Sequence, residues 1–104
     1  SKGDLVEIDS LRTVFGPHLG RLPVSSNKSQ LGHSLGAAAA VEAALAVEGM
    51  QQGLLLPTVN HIVDPALADV DVVPNHTRRH PHETVLTNAF GFGGTNCCLV
   101  LRGV

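Results

Sequence analysis

Aromatic residues are scarce in this sequence. It contains no Trp, no Tyr and three Phe among 104 residues, and its formal net charge is −2. Proteins that bind single-stranded nucleic acid stack bases on aromatic side chains, and nucleic-acid binders in general present a cluster of Lys and Arg. This chain offers neither feature, so we expect no nucleic-acid partner.

Long apolar runs are also missing. No stretch reaches the roughly 18 to 20 apolar residues that a membrane-spanning helix needs, and the first residues lack the pattern of a secretion signal. Cys97 and Cys98 are the only cysteines and are adjacent, so they do not form a disulfide framework. We therefore predict a cytoplasmic protein with reduced thiols and no membrane partner.

Charged residues are few, at 15% of the chain, whereas apolar residues make up 43%. A small independent domain normally carries more charge on its surface. A length of 104 residues suits one compact unit. We expect residues 1–104 to form a single unit, part of whose surface contacts other protein.

The hydrophobic pattern predicts an α/β chain. Glycines and prolines interrupt residues 53–74 and indicate a long surface connection. The predicted elements, in chain order, are a helix over 4–15 that ends at Gly16, a strand over 22–25, a helix over 32–52, a short strand over 71–73, and a hairpin of strands 84–89 and 95–101.

The helix predicted over 32–52 has hardly any polar face, so it should be central and buried. Glu42 lies within it, and an unpaired buried carboxylate costs several kcal/mol. It therefore needs a partner, for which Lys28 is the nearest candidate in sequence. The alternative is that the helix turns Glu42 toward solvent. Glu48, near the helix end, is expected to be solvated.

His33 is predicted at the start of the same helix, where the free N–H groups and the dipole favour a neutral imidazole. A neutral imidazole donates a hydrogen bond through one ring nitrogen, which suits the stabilisation of a developing enolate or oxyanion. Taken alone, a histidine that only caps the helix is the more frequent case.

Two other patterns resemble binding sites but do not fit their requirements. His76, His80 and His82 match no closed set of metal ligands, and neighbouring arginines repel cations, so we expect no metal there. The sequence GFGG over 91–94 resembles a phosphate-binding loop. A strand is predicted after it, however, where a dinucleotide motif needs a helix, and we expect no cofactor.

Several ordered motifs together resemble the C-terminal part of the β-ketoacyl-acyl-carrier-protein synthases, and the likeness is greater to the freestanding fatty-acid type than to modular polyketide synthases. The resemblance spans essentially the whole chain. It rests on Lys2-Gly3-Asp4 followed by Glu7, VSSNKSQLGHSLGAAAAVE over 24–42, Pro57-Thr58-Val59-Asn60, Val73-Pro74-Asn75, and NAFGFGGTN over 88–96.

The resemblance implies a thiolase-like fold, in which two related α/β halves each contain a mixed five-stranded sheet. This chain would supply most of the C-terminal half, with its mixed sheet and buried central helix, and would lack the first strand of that half. The implied partners are the N-terminal ketosynthase half, an acyl carrier protein, and a second copy of the complete enzyme in a homodimer.

The implied reaction is decarboxylative Claisen condensation, in which malonyl-carrier protein loses CO₂ and the resulting carbanion attacks an acyl thioester held on a cysteine. Two histidines serve the decarboxylation and stabilise the enolate oxygen. His33 matches the second of them. Lys28 matches a lysine that supports this network, and Glu42 matches a carboxylate tied to it.

The glycine-rich bend would bind substrate. The backbone N–H of Phe92 matches an oxyanion-hole donor, and Phe90 and Phe92 resemble gate residues between the acyl pocket and the malonyl site. Gly91, Gly93 and Gly94 would allow the substrate to approach the backbone closely. Plain core packing is the alternative for both Phe residues.

In some members of the family a structural monovalent cation lies among residues that match Glu42, Thr87 and Asn88, and hard oxygen ligands suit such an ion. The nucleophilic cysteine and the first histidine are expected in the part of the synthase that precedes this segment. Cys97 and Cys98 are expected to be packing residues, so the isolated chain should be inactive. A non-catalytic assembly or chain-length subunit is the alternative function.

Overall fold

The computed structural model describes residues 2–104, in which short helices and strands alternate. The helices are α1 (Lys2–Phe15), α2 (Lys28–Leu31) and α3 (Ala38–Gln52), and 3₁₀ turns lie at Gly16–Arg21, Leu35–Ala37 and Pro65–Leu67. The strands are β1 (Pro23–Val24), β2 (Leu54–Leu55), β3 (Asp71–Val72), β4 (Arg78–Arg79), β5 (Thr84–Phe90) and β6 (Asn96–Arg102). They pair as β1 with β3 in parallel, and as β2 with β4 and β5 with β6 in antiparallel.

Helix α1 is the amphipathic helix predicted over 4–15, and it begins two residues earlier. It ends before Gly16, whose φ of +52° is the left-handed conformation that glycine adopts without penalty. Ile8 is its buried residue. Arg12 fastens the helix to the turn before β3, because its guanidinium donates two hydrogen bonds to the Asp69 carboxylate and one to the Ala66 carbonyl.

Helix α3 differs from the helix predicted over 32–52 in its start and in its burial. Gly32 has a φ of +75° and Leu35 a φ of +51°, and neither conformation fits a right-handed helix, so α3 begins only at Ala38. Within this chain only Ala38 of α3 is buried, and Val47 is 40% exposed. The reason is that β2 and β5 cover part of the helix and leave its remaining surface open. No helix in residues 2–104 is long and apolar enough to cross a membrane.

The predicted surface connection over 53–74 is in part interior. Val73 is 1% exposed, the least of the buried core residues, and Pro57 is also buried. The backbone explains this, because the Thr58 N–H donates to the Val73 carbonyl and the Val73 N–H donates to the Val24 carbonyl. Thr58 thereby extends the β1–β3 pair by one more chain segment.

Strands β3 and β4 are joined by a two-pronged ion pair between the Arg78 guanidinium and the Asp71 carboxylate, at 2.7 and 2.9 Å. The hydrogen bonds from Arg78 lower the pKa of Asp71, although partial burial opposes them. Strand β4 in turn pairs with β2 directly after α3. The strand pair β2–β4 was absent from the predicted elements, because β4 consists of two arginines and lacks the apolar or alternating pattern that is typical of a strand.

The predicted hairpin is confirmed. Strands β5 and β6 pair in register from Thr84 opposite Arg102 to Phe90 opposite Asn96. Helix α3 packs on β5, whereas every residue of β6 except Leu101 is exposed in this chain. Cys97 and Cys98 are therefore exposed, and the prediction that they are packing residues is wrong within residues 2–104.

Candidate active site

An ion pair joins the two charged residues predicted to interact. Lys28 is the first residue of α2, and Glu42 lies in the second turn of α3. The Lys28 ammonium binds Glu42 Oε1, and their side chains are 40% and 15% exposed. The structure thus brings Lys28 and Glu42 together, and Glu42 does not turn to solvent. Glu48 is exposed and accepts a hydrogen bond from Gln52, as expected of a solvated residue.

His33 lies outside the helix to which it was assigned. It is exposed and lies between α2 and the 3₁₀ turn that starts at Leu35. Its Nδ1 accepts a hydrogen bond of 3.0 Å from the Leu35 N–H. A donor at Nδ1 requires a lone pair there, so the neutral ring carries its proton on Nε2. A single backbone N–H therefore orients the imidazole, in place of the helix terminus that the sequence predicted.

Leu35 makes this orientation possible through an uncommon backbone conformation. Its φ of +51° lies in the left-handed region, which costs a residue with a side chain roughly 1–2 kcal/mol. The Leu35 side chain is 70% exposed, so packing does not account for the strain. Strain at a residue that holds a candidate catalytic group is typical of functional sites. The sequence carries no signal for it, since Leu is not a turn former.

The glycine-rich bend between β5 and β6 forms a tight loop. Gly93 and Gly94 have φ values of +82° and +84°, which residues with side chains rarely adopt. The Gly91 N–H donates to the Thr95 carbonyl at 2.7 Å, and a Cβ at Gly91 would meet that oxygen at 3.2 Å. The Phe92 N–H makes no hydrogen bond within residues 2–104. A free donor at an exposed bend is available to a substrate oxygen.

Phe90 and Phe92 are both exposed in this chain, at 57% and 97%. The alternative that they pack in the core therefore does not hold within residues 2–104. Two apolar rings beside an open glycine bend suit contact with a substrate or with another part of the protein.

The residues predicted around a monovalent cation make different contacts. Glu42 binds Lys28, while the Asn88 amide donates to Glu7 Oε1 on α1 at 3.3 Å. The remaining carboxylate oxygen of Glu42, the Asn88 Oδ1 and the Thr87 hydroxyl are ligand types that a cation accepts. Within residues 2–104 no hydrogen bond or ion pair joins them, and the cation site stays a prediction. Glu7 is a charged neighbour that we did not assign to the site.

The histidine-rich segment forms no ligand cluster. The His80 and His82 rings lie 6.0 Å apart, and His82 Nδ1 lies 2.6 Å from the His80 carbonyl oxygen. Within residues 2–104, no three His, Cys, Asp or Glu side chains are placed to hold a metal ion.

Two hollows in the surface differ in size and position. One lies between α2 and α3 beside Lys28 and Glu42, and has about 10 Å³ of space for the centre of a water molecule. That is room for one water and not for a substrate. A shallow groove of about 280 Å³ lies along residues 61–74, and none of the predicted site residues line it. An acyl chain would need walls from outside this chain.

Comparison with known proteins identifies the family. The sequence profile described as "Beta-ketoacyl synthase, C-terminal domain" matches residues 1–61, which is more than half of the chain. The chain belongs to the β-ketoacyl synthase family. A β-ketoacyl synthase from Burkholderia phymatum STM815 is 39% identical and superposes with a TM-score of 0.89 over 100% of this chain and 25% of that one. The predicted C-terminal thiolase-like fold is thereby confirmed.

Two relatives match nearly the whole chain. The 3-oxoacyl-[acyl-carrier-protein] synthase 2 of Coxiella burnetii is 43% identical over 101 residues, which cover 97% of this chain and 24% of the relative. Nodulation protein E of Rhizobium sp. strain N33 is 38% identical over 97% of this chain. The chain spans about a quarter of the length of these relatives.

A ketosynthase solved with its acyl carrier protein is a further structural neighbour. That structure, AntDE:AntF, is described as a type II polyketide acyl-carrier protein in complex with its ketosynthase bound to the hexaketide. It superposes with a TM-score of 0.88 at 32% identity, over 94% of this chain and 24% of that one. The fold is therefore shared with a type II polyketide ketosynthase.

Proposed function

We propose that this chain is the C-terminal part of a 3-oxoacyl-[acyl-carrier-protein] synthase, which condenses a malonyl thioester with an acyl thioester and releases CO₂. The observation that carries the proposal is the hydrogen bond from the Leu35 N–H to His33 Nδ1. It leaves Nε2–H as the donor of a neutral imidazole, which is the form that stabilises a developing enolate oxygen.

Residues of this chain would act on the malonyl group in a defined order. His33 donates from Nε2 to the thioester carbonyl oxygen while the carboxylate leaves as CO₂ and the electron pair of the broken C–C bond enters the enolate. The enolate carbon then attacks the carbonyl carbon of the acyl thioester, and collapse of the tetrahedral intermediate breaks the C–S bond and releases the cysteine thiolate together with the 3-oxoacyl product. The oxygen of this tetrahedral intermediate accepts a hydrogen bond from the Phe92 N–H, which Gly91, Gly93 and Gly94 expose.

Lys28 and Glu42 would support His33 without touching substrate. Their ion pair places a positive charge at the first residue of α2, five residues before His33, and joins α2 to α3. Phe90 and Phe92 would line the passage between the acyl and malonyl sites. A monovalent cation near Glu42, Thr87 and Asn88 remains part of the proposal.

The nucleophilic cysteine and the first histidine would come from the N-terminal ketosynthase half, so the isolated chain should not condense substrates. The complete enzyme would be a cytoplasmic homodimer that receives its substrates from an acyl carrier protein. The acyl-carrier-protein complex of the related ketosynthase supports that partner.

The test is a chimera in which this chain replaces the matching C-terminal quarter of the Coxiella burnetii synthase. We expect the chimera to form 3-oxoacyl product, and His33→Ala to slow it by a factor of about 10² to 10³, the usual effect of removing one such donor. His76→Ala is the matched control, because His76 is exposed and outside the proposed site. A folded chimera whose rate does not depend on His33 would contradict the proposal and favour a non-catalytic subunit.

A further inference from the structure

Lys28 of the proposed site lies in a helix that is too short to be stable by itself. Helix α2 has four residues, Lys28–Leu31, and one isolated helical turn is not stable in water. The ion pair with Glu42 does not supply the missing support, since the Lys28 side chain is 40% exposed and partly exposed ion pairs contribute little. Something else must fix the backbone at Lys28.

Two side chains that directly follow Lys28 hold the turn. The Ser29 hydroxyl donates to the Ser26 carbonyl and accepts from the Val59 N–H, both at 2.8 Å. The Gln30 amide donates to the Pro57 carbonyl at 3.0 Å. Ser29 thus bonds to the loop that precedes α2. Together with Gln30 it also links α2 to residues 57–59.

Residues 57–59 are themselves held in place by the interior of the protein. Pro57 is buried, and the Thr58 N–H donates to the carbonyl of Val73, which is 1% exposed. The Asn75 N–H donates in return to the Thr58 carbonyl at 3.0 Å. The partners of Ser29 and Gln30 are therefore fixed by the interior of the protein, independently of Lys28 and Glu42.

We propose that Ser29 and Gln30 are positioning residues that set Lys28 against Glu42, and so determine where the charge of Lys28 lies relative to His33. The inference rests on the proposed function. Neither residue touches the substrate. Their effect passes through Lys28, so removing them should matter only while Lys28 is present.

A double-mutant cycle in the chimera tests this dependence, with CO₂ release from malonyl-acyl carrier protein as the measurement. We expect Ser29→Ala to lower the rate constant about fivefold to tenfold, and Ser29→Thr, which keeps the hydroxyl, to restore it to within about twofold; the loss corresponds to one or two hydrogen bonds. In the Lys28→Met background Ser29→Ala should change the rate less than twofold.

Gln30→Met tests the second contact, because Met has a similar length and no donor. We expect a loss of about threefold to fivefold, again absent in the Lys28→Met background. Gln51→Met is the matched control on an exposed helical position, and it should leave the rate unchanged.

The outcomes separate the two claims. If Lys28→Met slows CO₂ release and the Ser29 and Gln30 variants do not, the positioning role is refuted while the proposed function stands. If the Ser29 loss is equal with and without Lys28, the residue supports the fold in general and the inference is wrong. If Lys28→Met has no effect on the rate, the inference and the supporting role of Lys28 are both wrong, whereas the proposed synthase function is still tested separately by His33→Ala.

Discussion

The Lys28–Glu42 pair should respond asymmetrically to the loss of either partner. The Glu42 side chain is 15% exposed and the Lys28 side chain 40%. Lys28→Met leaves a carboxylate that is largely removed from water and has lost its cation, whereas Glu42→Gln leaves an ammonium that can turn to solvent. Because the cost of an orphaned charge grows with its burial, the lysine variant should be the less stable one.

The size of the effect follows from the two exposures. A fully buried pair that loses one partner costs roughly 3–5 kcal/mol, and an exposed pair roughly 0–1 kcal/mol. With intermediate burial we expect about 2 kcal/mol for Lys28→Met and about 1 kcal/mol or less for Glu42→Gln. The double variant should lie close to the milder single variant, since no unpaired charge remains.

The assay is the thermal midpoint of the chimera and its three variants at neutral pH and moderate salt. We expect the midpoint to fall by about 2 °C for Lys28→Met and by about 1 °C or less for Glu42→Gln, because the chimera is about four times as long as this chain and its midpoint shifts by roughly 1 °C per kcal/mol. Equal losses for both single variants, or a greater loss for Glu42→Gln, would refute the reasoning from burial.

Two further predictions concern the glycine-rich bend and the Arg78–Asp71 ion pair. Gly93→Ala should destabilise the folded protein by about 1–2 kcal/mol. Its φ is +82° and no atom lies within 4 Å of the added Cβ, so the cost comes from the backbone conformation. Gly36→Ala, with equal space and no positive φ, should leave the stability unchanged in the same denaturation experiment. Arg78 lowers the pKa of Asp71, so the Arg78–Asp71 ion pair should contribute its full stability above about pH 4, the ordinary carboxyl pKa. This contribution should be lost as the pH falls below that value. Asp71→Asn should remove that part of the acid dependence, and an unchanged profile of thermal midpoint against pH would contradict it.

The long periodic elements could be predicted from the sequence because their signals are local. Helix α1 and the β5–β6 hairpin lie within two residues of their predicted bounds, and Gly16 ends the helix as expected. The start of α3 could not be placed in this way. The residues before it include Leu35 and Ala37, which are good helix formers, and the left-handed backbone of Gly32 and Leu35 keeps them out of the helix.

Contacts between distant segments account for the other differences. Val73 is buried because Thr58 and Val24 pair with it through their backbones, and no composition signal reports such pairing. For the site, the Lys28–Glu42 pair followed from the cost of a buried carboxylate. The Leu35 contact to His33 and the Ser29 and Gln30 contacts did not, because backbone N–H and carbonyl groups are present at almost every residue.

The most direct test of the central claim is the rate of CO₂ release from malonyl-acyl carrier protein by the chimera without an acyl donor, since decarboxylation isolates the step assigned to His33. The account predicts release that falls by a factor of about 10² to 10³ in His33→Ala and is unchanged in His76→Ala. Release at the same rate in both variants would contradict it.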